Sequence, residues 1–307
     1  MLKAGVLRFS NSEWCFRIVP VLKSDGTYRI CIDYRPLNKL IKKDSGGLGD
    51  ITGMLDRMKD SKFFSSLDLA SAYHQLELKE EDKHKTAFRD PTGRLLESNV
   101  CNFDISTIPA VFSATLGDDL REVLGKGLEK WSDDLLLHTK TLQEHFALLR
   151  RVLTLLKEGG YTVHFYKSEF FFPELEFLGV MVGRNGTRPA PSKIKALQEL
   201  EMPTTVGEVR AFLGLAGYLR GFVPDFSAIV APISDLLRNK EFSSKKARNR
   251  RVPWGAEQAT AFGEIIQCLT THPILILPDW HKHFTLHTDA SELAAGSVLT
   301  QSVETRP

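Results

Sequence analysis

The chain has 307 residues, 42% of them hydrophobic and 25% charged, with a net charge of only +2. Those values suit two or three structural units able to bury a core, and they exclude a global basic field that would announce nucleic acid, so any basic surface must be local. No apolar run approaches a membrane span, MLKAGVLRFSNSEW at the N-terminus has no signal-peptide core, and four cysteines without a CxxC pair read as reduced, mostly buried thiols of an intracellular protein.

Val19-Pro20-Val21-Leu22 and the run from Tyr28 to Tyr34 are β-rich and flank Ser24-Asp25-Gly26, which predicts a hairpin. The glycines of Gly46-Gly47-Leu48-Gly49 argue for a flexible loop. Phe63 to Leu69 reads as a strand that turns at Ala70-Ser71, and a further turn is expected at Asp90-Pro91-Thr92-Gly93. Thr141-x-x-Glu144 is a capping box, and Leu142, Phe146, Leu149, Leu153 and Leu156 recur at helical spacing until Gly159-Gly160. YTVHFYKSEFFF and ELEFLGVMVG then look strand-like, with a turn at Asn185-Gly186.

Thr205-x-x-Glu208 caps a second helix through VRAFLGLAGYLRGF, and APISDLLRN makes a third. From Arg238 to Arg251 there are seven basic residues against one acid, Glu241, which reads as a linker or a basic loop. HFTLHTDASELAAGSVLTQ is a strand carrying Asp289, a turn and the start of another strand. Helices and strands mix without a clean βα alternation, which favours an α+β fold.

Two places set aspartate against apolar strand residues: Leu67-Asp68-Leu69 and Ser132-Asp133-Asp134-Leu135. A carboxylate beside buried neighbours is costly unless a cation or a donor compensates it. Brought together, the two segments would form a three-acid site suited to Mg²⁺, and two such ions can drive in-line phosphoryl transfer. Any one of these acids taken alone is explained by a solvated or capping turn.

The ordered series SDGTYRICIDYRPLNK, FFSSLDLASAYHQLEL, KHKTAFRD, IPAVFSATL, WSDDLLLHTKTLQEH, FLGVMVGRNGTRPAPSKI and PTTVGEVRAFLGLAGYLRGFVPDFS resembles the reverse transcriptases of Ty3/gypsy-type LTR retrotransposons. The closing TDASELAAGSVLTQ resembles the opening strands of the RNase H domain that follows them. The resemblance runs from Trp14 to Gln301.

It implies a right-hand polymerase fold followed by the truncated start of an RNase H-like domain. Fingers would occupy 1–42 and 77–108, palm 43–76 and 109–185, thumb 186–245, and a linker with the incomplete RNase H-like domain 246–307. It further implies an RNA-directed DNA polymerase of a retroelement, working on RNA or DNA template–primer with dNTPs and two Mg²⁺ ions, Mn²⁺ being an alternative, and without a membrane.

In the resemblance Asp68 and Asp133 are metal ligands, the Leu69 carbonyl assists, and Asp134 is the third catalytic acid. Tyr73 lies under the incoming sugar, Lys23 and Arg29 grip the triphosphate, and Phe103 and Asp104 fall in the nucleotide-pocket loop. Trp131 stands beside the primer end, which a hairpin at Phe177-Leu178-Gly179 would seat; a plain buried strand fits those three residues as well. Arg210 and Arg220 could touch backbone phosphates from one helix, or simply face solvent.

The chain also departs from the family pattern. Trp131 replaces a Tyr or Phe, Gly127-Leu128-Glu129-Lys130 predicts a poorer palm strand, and Gly46 to Gly49 replace a stiffer segment. Asp104 stands where the family has glycine, setting a negative charge near a triphosphate. A catalytically eroded remnant that keeps the fold therefore stands beside the polymerase reading. With so few residues after Asp289, RNase H activity is expected to be absent, and an unpaired sheet edge would remain.

Overall fold

The computed structural model describes residues 1–22, 26, 28–42, 50–238, 240–271, 282–290 and 295–301. Lys23, the tip residues Ser24 and Asp25, the side chain of Arg29, the Gly46 to Gly49 loop and the side chain of Asp289 lie outside the described residues. Contacts divide the chain into two units: Met1–Met54 with Phe63–Phe172, and Leu55–Lys62 with Pro173–Pro307.

The first unit begins with β1 (Leu7–Phe9), β2 (Ile18–Leu22) and β3 (Tyr28–Ile32), then α1 (Arg35–Asn38) and α2 (Ile51–Arg57), whose last residues belong to the second unit. β4 (Phe63–Leu67), α3 (Glu80–Lys83), β5 (Phe88–Arg89), β6 (Leu95–Ser98) and α4 (Ile108–Asp119) follow. β7 (Leu128–Trp131), β8 (Asp134–Thr139), α5 (Leu142–Glu158) and β9 (Glu169–Phe172) close it.

These strands form a β2–β3 hairpin, a β1–β6–β5 sheet and a four-stranded sheet in the order β7–β8–β4–β9. β4 is central in the last because Phe64, Ser65 and Leu67 are buried while β8 and β9 flank it. Side chains alternate faces along a strand. Leu67, Leu128, Leu135 and Leu137 accordingly share one face and pack with Phe112 and Leu116 of α4, Leu120 just beyond it, and Leu149, Val152 and Leu156 of α5. α5 starts where its capping box predicts, with Thr141 Oγ1 accepting from the Glu144 amide; such a cap contributes about 1 kcal/mol.

β7 corrects the expectation of a poor strand. Leu128 is fully buried, and Glu129, also buried, faces His138 with 3.6 Å between Oε1 and Nε2. YTVHFYKSEFFF is not one strand either. Only Glu169–Phe172 is; Phe165–Lys167 form a 3-10 turn and Val163 makes a single bridge to Leu69. The predicted Phe63 to Leu69 strand stops at Leu67, because the chain turns through Ser71, with φ 51°. Of the four cysteines, all free, only Cys101 is buried, so the expectation of mostly buried thiols fails: Cys31 and Cys268 are half-buried and Cys15 is exposed.

The second unit contains β10 (Glu174–Phe177), β11 (Val180–Gly183) and β12 (Gly186–Pro189), paired antiparallel in sequence order. The ELEFLGVMVG run is thus a hairpin split at Leu178-Gly179, both with positive φ (53° and 76°). α6 (Pro191–Gln198), α7 (Val206–Tyr218), α8 (Phe226–Leu236), α9 (Lys240–Ser243) and α10 (Ala256–Thr270) follow, then the β13 (Thr285–Ala290) and β14 (Ala295–Thr300) hairpin. α10 escaped the sequence reading although Phe262, Ile265 and Leu269 recur at helical spacing, and they bury against Phe212 and Ile233.

The 238–251 stretch is no loose linker. Its Arg248 and Arg250 carbonyls accept from the Gly207 and Val206 amides, and Phe242 and Ala247 are buried. Arg210 donates to the Phe242 carbonyl, so it braces this segment, and Arg220 lies in a 3-10 turn beyond α7 rather than on the same helix.

Candidate active site

The two aspartate-bearing segments meet at one end of the four-stranded sheet. β7 and β8 pair Trp131 with Asp134, leaving Ser132 and Asp133 as a two-residue turn. Ser132 has φ 57°; positive φ at the first central residue gives the backbone twist that two-residue hairpins need. For a non-glycine residue that costs about 1–2 kcal/mol, and strain of this kind gathers at functional turns.

β4 runs antiparallel to β8 with Leu67 opposite Leu135. The next residue of each strand, Asp68 on one side and Asp134 on the other, therefore falls on the opposite face from the leucines that pack on α4 and α5. The helices build one side of the sheet and the acids occupy the other. Asp68 is held from behind: its amide donates to Ser168 Oγ at 3.1 Å, and its carbonyl accepts from the His164 amide at 2.7 Å. Leu69 is buried and bridges to Val163.

Asp134 registers the crowding. Surrounding protein, then the like charges of Asp133 and Asp68, raise its carboxyl above the ordinary range, although the residue itself is exposed. Like charges this close favour either protonation or a shared cation. Among the described residues no three His, Cys, Asp or Glu side chains close around one point. The acids are neighbours and not a cage. Mg²⁺ fits that donor set: it takes hard oxygen ligands, and it keeps several waters and substrate phosphates among them.

An aromatic group follows Asp68 in the chain. Tyr73, in the 3-10 turn Ala72–Gln75, packs edge-on against Phe112 (5.4 Å between centroids) and Phe103 (4.9 Å). Phe103 also meets His74 at 5.3 Å. Phe103 and Asp104 line a cavity of about 300 Å³ with Tyr28, Ile30, Ile32 and His74. Sequence reasoning missed His74 and Asn38. Asn38 Nδ2 donates to the Asp104 carbonyl (2.9 Å) and its Oδ1 accepts from the Ser106 amide (2.9 Å). Nothing local in the sequence marks a side chain that reaches across 66 residues.

Under the sheet on the helix side, buried His145 bridges Ser65 (2.7 Å) and Thr139 (2.9 Å); burial, then the nearby His138, holds its pKa below the usual value.

Phe177, Leu178 and Gly179 lie in the second unit, where Phe177 is buried and Leu178-Gly179 form the β10–β11 turn. Tyr218 of α7 donates to the Leu178 carbonyl, and a Cβ on Gly179 would come 2.9 Å from Lys193. The turn is thereby tied to two helices of its own unit.

Residues 21–182 match the family described as reverse transcriptase (RNA-dependent DNA polymerase), and residues 254–307 match an RNase H-like domain found in reverse transcriptase. The chain is 32% identical over 313 residues to a retrovirus-related Pol polyprotein from transposon opus of Drosophila melanogaster, covering 100% of this chain and 31% of that protein. It is 34% identical over 300 residues to the transposon Tf2-3 polyprotein of Schizosaccharomyces pombe, covering 98% and 22%. It thus spans a third or less of the length of these relatives.

Among solved structures it resembles a foamy viral protease-reverse transcriptase in complex with double-stranded DNA, with TM-score 0.83 and 28% identity over 94% of this chain and 50% of that one. The same viral protein in complex with an RNA/DNA hybrid matches with TM-score 0.78 and 26% identity over 98% and 41%. Among the described residues no helix is long and apolar enough to cross a membrane.

Proposed function

The chain belongs to the reverse transcriptase family, and on that premise we propose that it extends a primer on an RNA or DNA template with dNTPs by two-metal phosphoryl transfer. The observation that carries this reading is that Asp68 and Asp134 meet on the sheet face opposite α4 and α5, with Asp133 in the adjoining turn.

In this reading Asp68, Asp133 and Asp134 hold two Mg²⁺ ions, or Mn²⁺ in their place, with the Leu69 carbonyl assisting. The ions when bound activate the primer hydroxyl and neutralise the leaving pyrophosphate. Tyr73, with Phe103 set edge-on to it, supplies an aromatic contact for the sugar and base of the incoming nucleotide. Lys23 and Arg29 suit the triphosphate by charge, Arg through its bidentate fork. Trp131, opposite Asp134 in the hairpin, borders the primer end; in the second unit, the Phe177-Leu178-Gly179 turn is a primer contact by the family resemblance.

Template–primer binding is supported by the neighbours' complexes with double-stranded DNA and RNA/DNA hybrid. In the second unit Lys246, Arg248, Arg250 and Arg251 are exposed and, among the described residues, have no ion pair. Their backbone is anchored to the start of α7, so they offer phosphates a fixed cationic surface.

The test is extension of oligo(dT) on poly(rA) with dTTP and Mg²⁺ or Mn²⁺, alongside Asp133→Asn. Loss of one supporting partner of a metal ligand already costs about 10–100-fold, so removing the ligand itself should lower extension by more than about a hundredfold. Extension no greater than in Asp133→Asn would overturn the enzyme reading. Retained binding of primed template with a salt slope of about −0.9 per phosphate contacted would then identify a non-catalytic remnant.

A further inference from the structure

We propose that Asp104 is a positioning residue of the nucleotide pocket, latching the pocket loop to the fingers strand β3 through the Ile32 amide; this rests on the polymerase reading above. Asp104 Oδ2 accepts from the Ile32 N–H at 3.0 Å. That amide needs an outside partner. β2 and β3 make a two-stranded sheet, and Asp33 donates to the Arg17 carbonyl on the β2 side. In an antiparallel pair successive amides point to opposite edges, so the Ile32 N–H points to the edge that no strand covers. Ile32 itself is buried, where an unpaired donor is costly.

The latch has two companions. Asn102 Nδ2 donates to the Tyr34 hydroxyl at 3.1 Å, and that hydroxyl donates to the Thr86 carbonyl at 2.8 Å. On the other flank Asn38 holds the Asp104 carbonyl and the Ser106 amide. The residues before and after Phe103 are thus both tied to the segment just beyond the hairpin. Phe103, between them, is pressed against Tyr73 and His74. A glycine at 104 would leave out the side-chain member of this set.

The negative charge that the sequence sets near the triphosphate is therefore committed to a backbone donor, and its consequence reverses. Removing the side chain loosens the pocket instead of clearing it.

The test compares Asp104→Gly and Asp104→Asn, which keeps an acceptor oxygen without the charge. Two readouts are taken: hydrogen exchange of the Ile32 amide, and the KM for dTTP against kcat in primer extension. Glycine is expected to speed exchange at Ile32 and raise KM by about tenfold, the order that loss of one bond to a buried donor gives, with a smaller change in kcat. Asparagine is expected to restore protection and bring KM back toward the unsubstituted value.

Unchanged exchange in Asp104→Gly, a lower KM in that variant, or asparagine behaving as glycine does would each overturn the latch. If no form of the protein extends primer, the polymerase reading fails by itself. The exchange of Ile32 still decides whether Asp104 holds the loop.

Discussion

Two short connections border the candidate site, and they are held in opposite ways. The Ser132-Asp133 turn is closed by its own hairpin, with Trp131 paired to Asp134 and the ladder continuing to Leu128 and Leu137. The 102–106 loop has no ladder. Its bonds run to Ile32, Tyr34 and Asn38, between 66 and 72 residues earlier. A turn closed locally inherits its geometry from strand register, which one substitution rarely changes. A loop fixed by distant side chains is only as rigid as each of those bonds. Under the proposed function, acids that must keep their spacing sit on the first kind, and the pocket proposed to take nucleotides sits on the second.

Three substitutions test that contrast. The largest effect is expected from Leu137→Ala, since Leu137 is fully buried against α4 and α5 under the acid hairpin. It should destabilise the first unit by about 2–5 kcal/mol, read as a lower urea midpoint. A midpoint that stays put would mean that the helix-side core does not anchor the turn.

Asn38→Ala comes next. It removes both bonds to the loop at an expected cost of about 1–3 kcal/mol. If the loop is held from a distance, KM for dNTP should rise more than kcat falls, with the urea midpoint changed less than in Leu137→Ala. An equal fall in kcat with KM unmoved would sink the idea that Asn38 serves the pocket.

The smallest effect is expected at Ser132. Glycine there relieves about 1 kcal/mol or more of positive-φ strain and loses about 0.5–1 kcal/mol to backbone entropy. Stability should therefore stay level or rise by up to about 1.5 kcal/mol, measurable by paired urea melts. A large loss would show that the hydroxyl, not the backbone angle, matters at this turn.

Where the elements are local, they were legible in the chain. Thr141 and Thr205 each announce a helix start with a glutamate three residues on, and both capping boxes form. The β13–β14 pair was likewise readable as a strand, a turn and the start of another strand. The failures share a cause. ELEFLGVMVG looks continuous because Leu178 is apolar, yet Tyr218 and the helix carrying Lys193 hold it in a turn. The stretch from Arg238 to Arg251 looks like a linker by charge, yet its backbone bonds to the start of α7.

By itself, then, the sequence determined the family, the α+β class and which acids stand next to apolar strands, because motif order and side-chain period are properties of neighbours in the chain. Only the tertiary structure decided that Asp68 and Asp134 share the face opposite α4 and α5 and that Asp104 turns to the Ile32 amide. A strand's free amides and the face its helices leave uncovered depend on which segments pack beside it. No stretch of sequence carries that information alone.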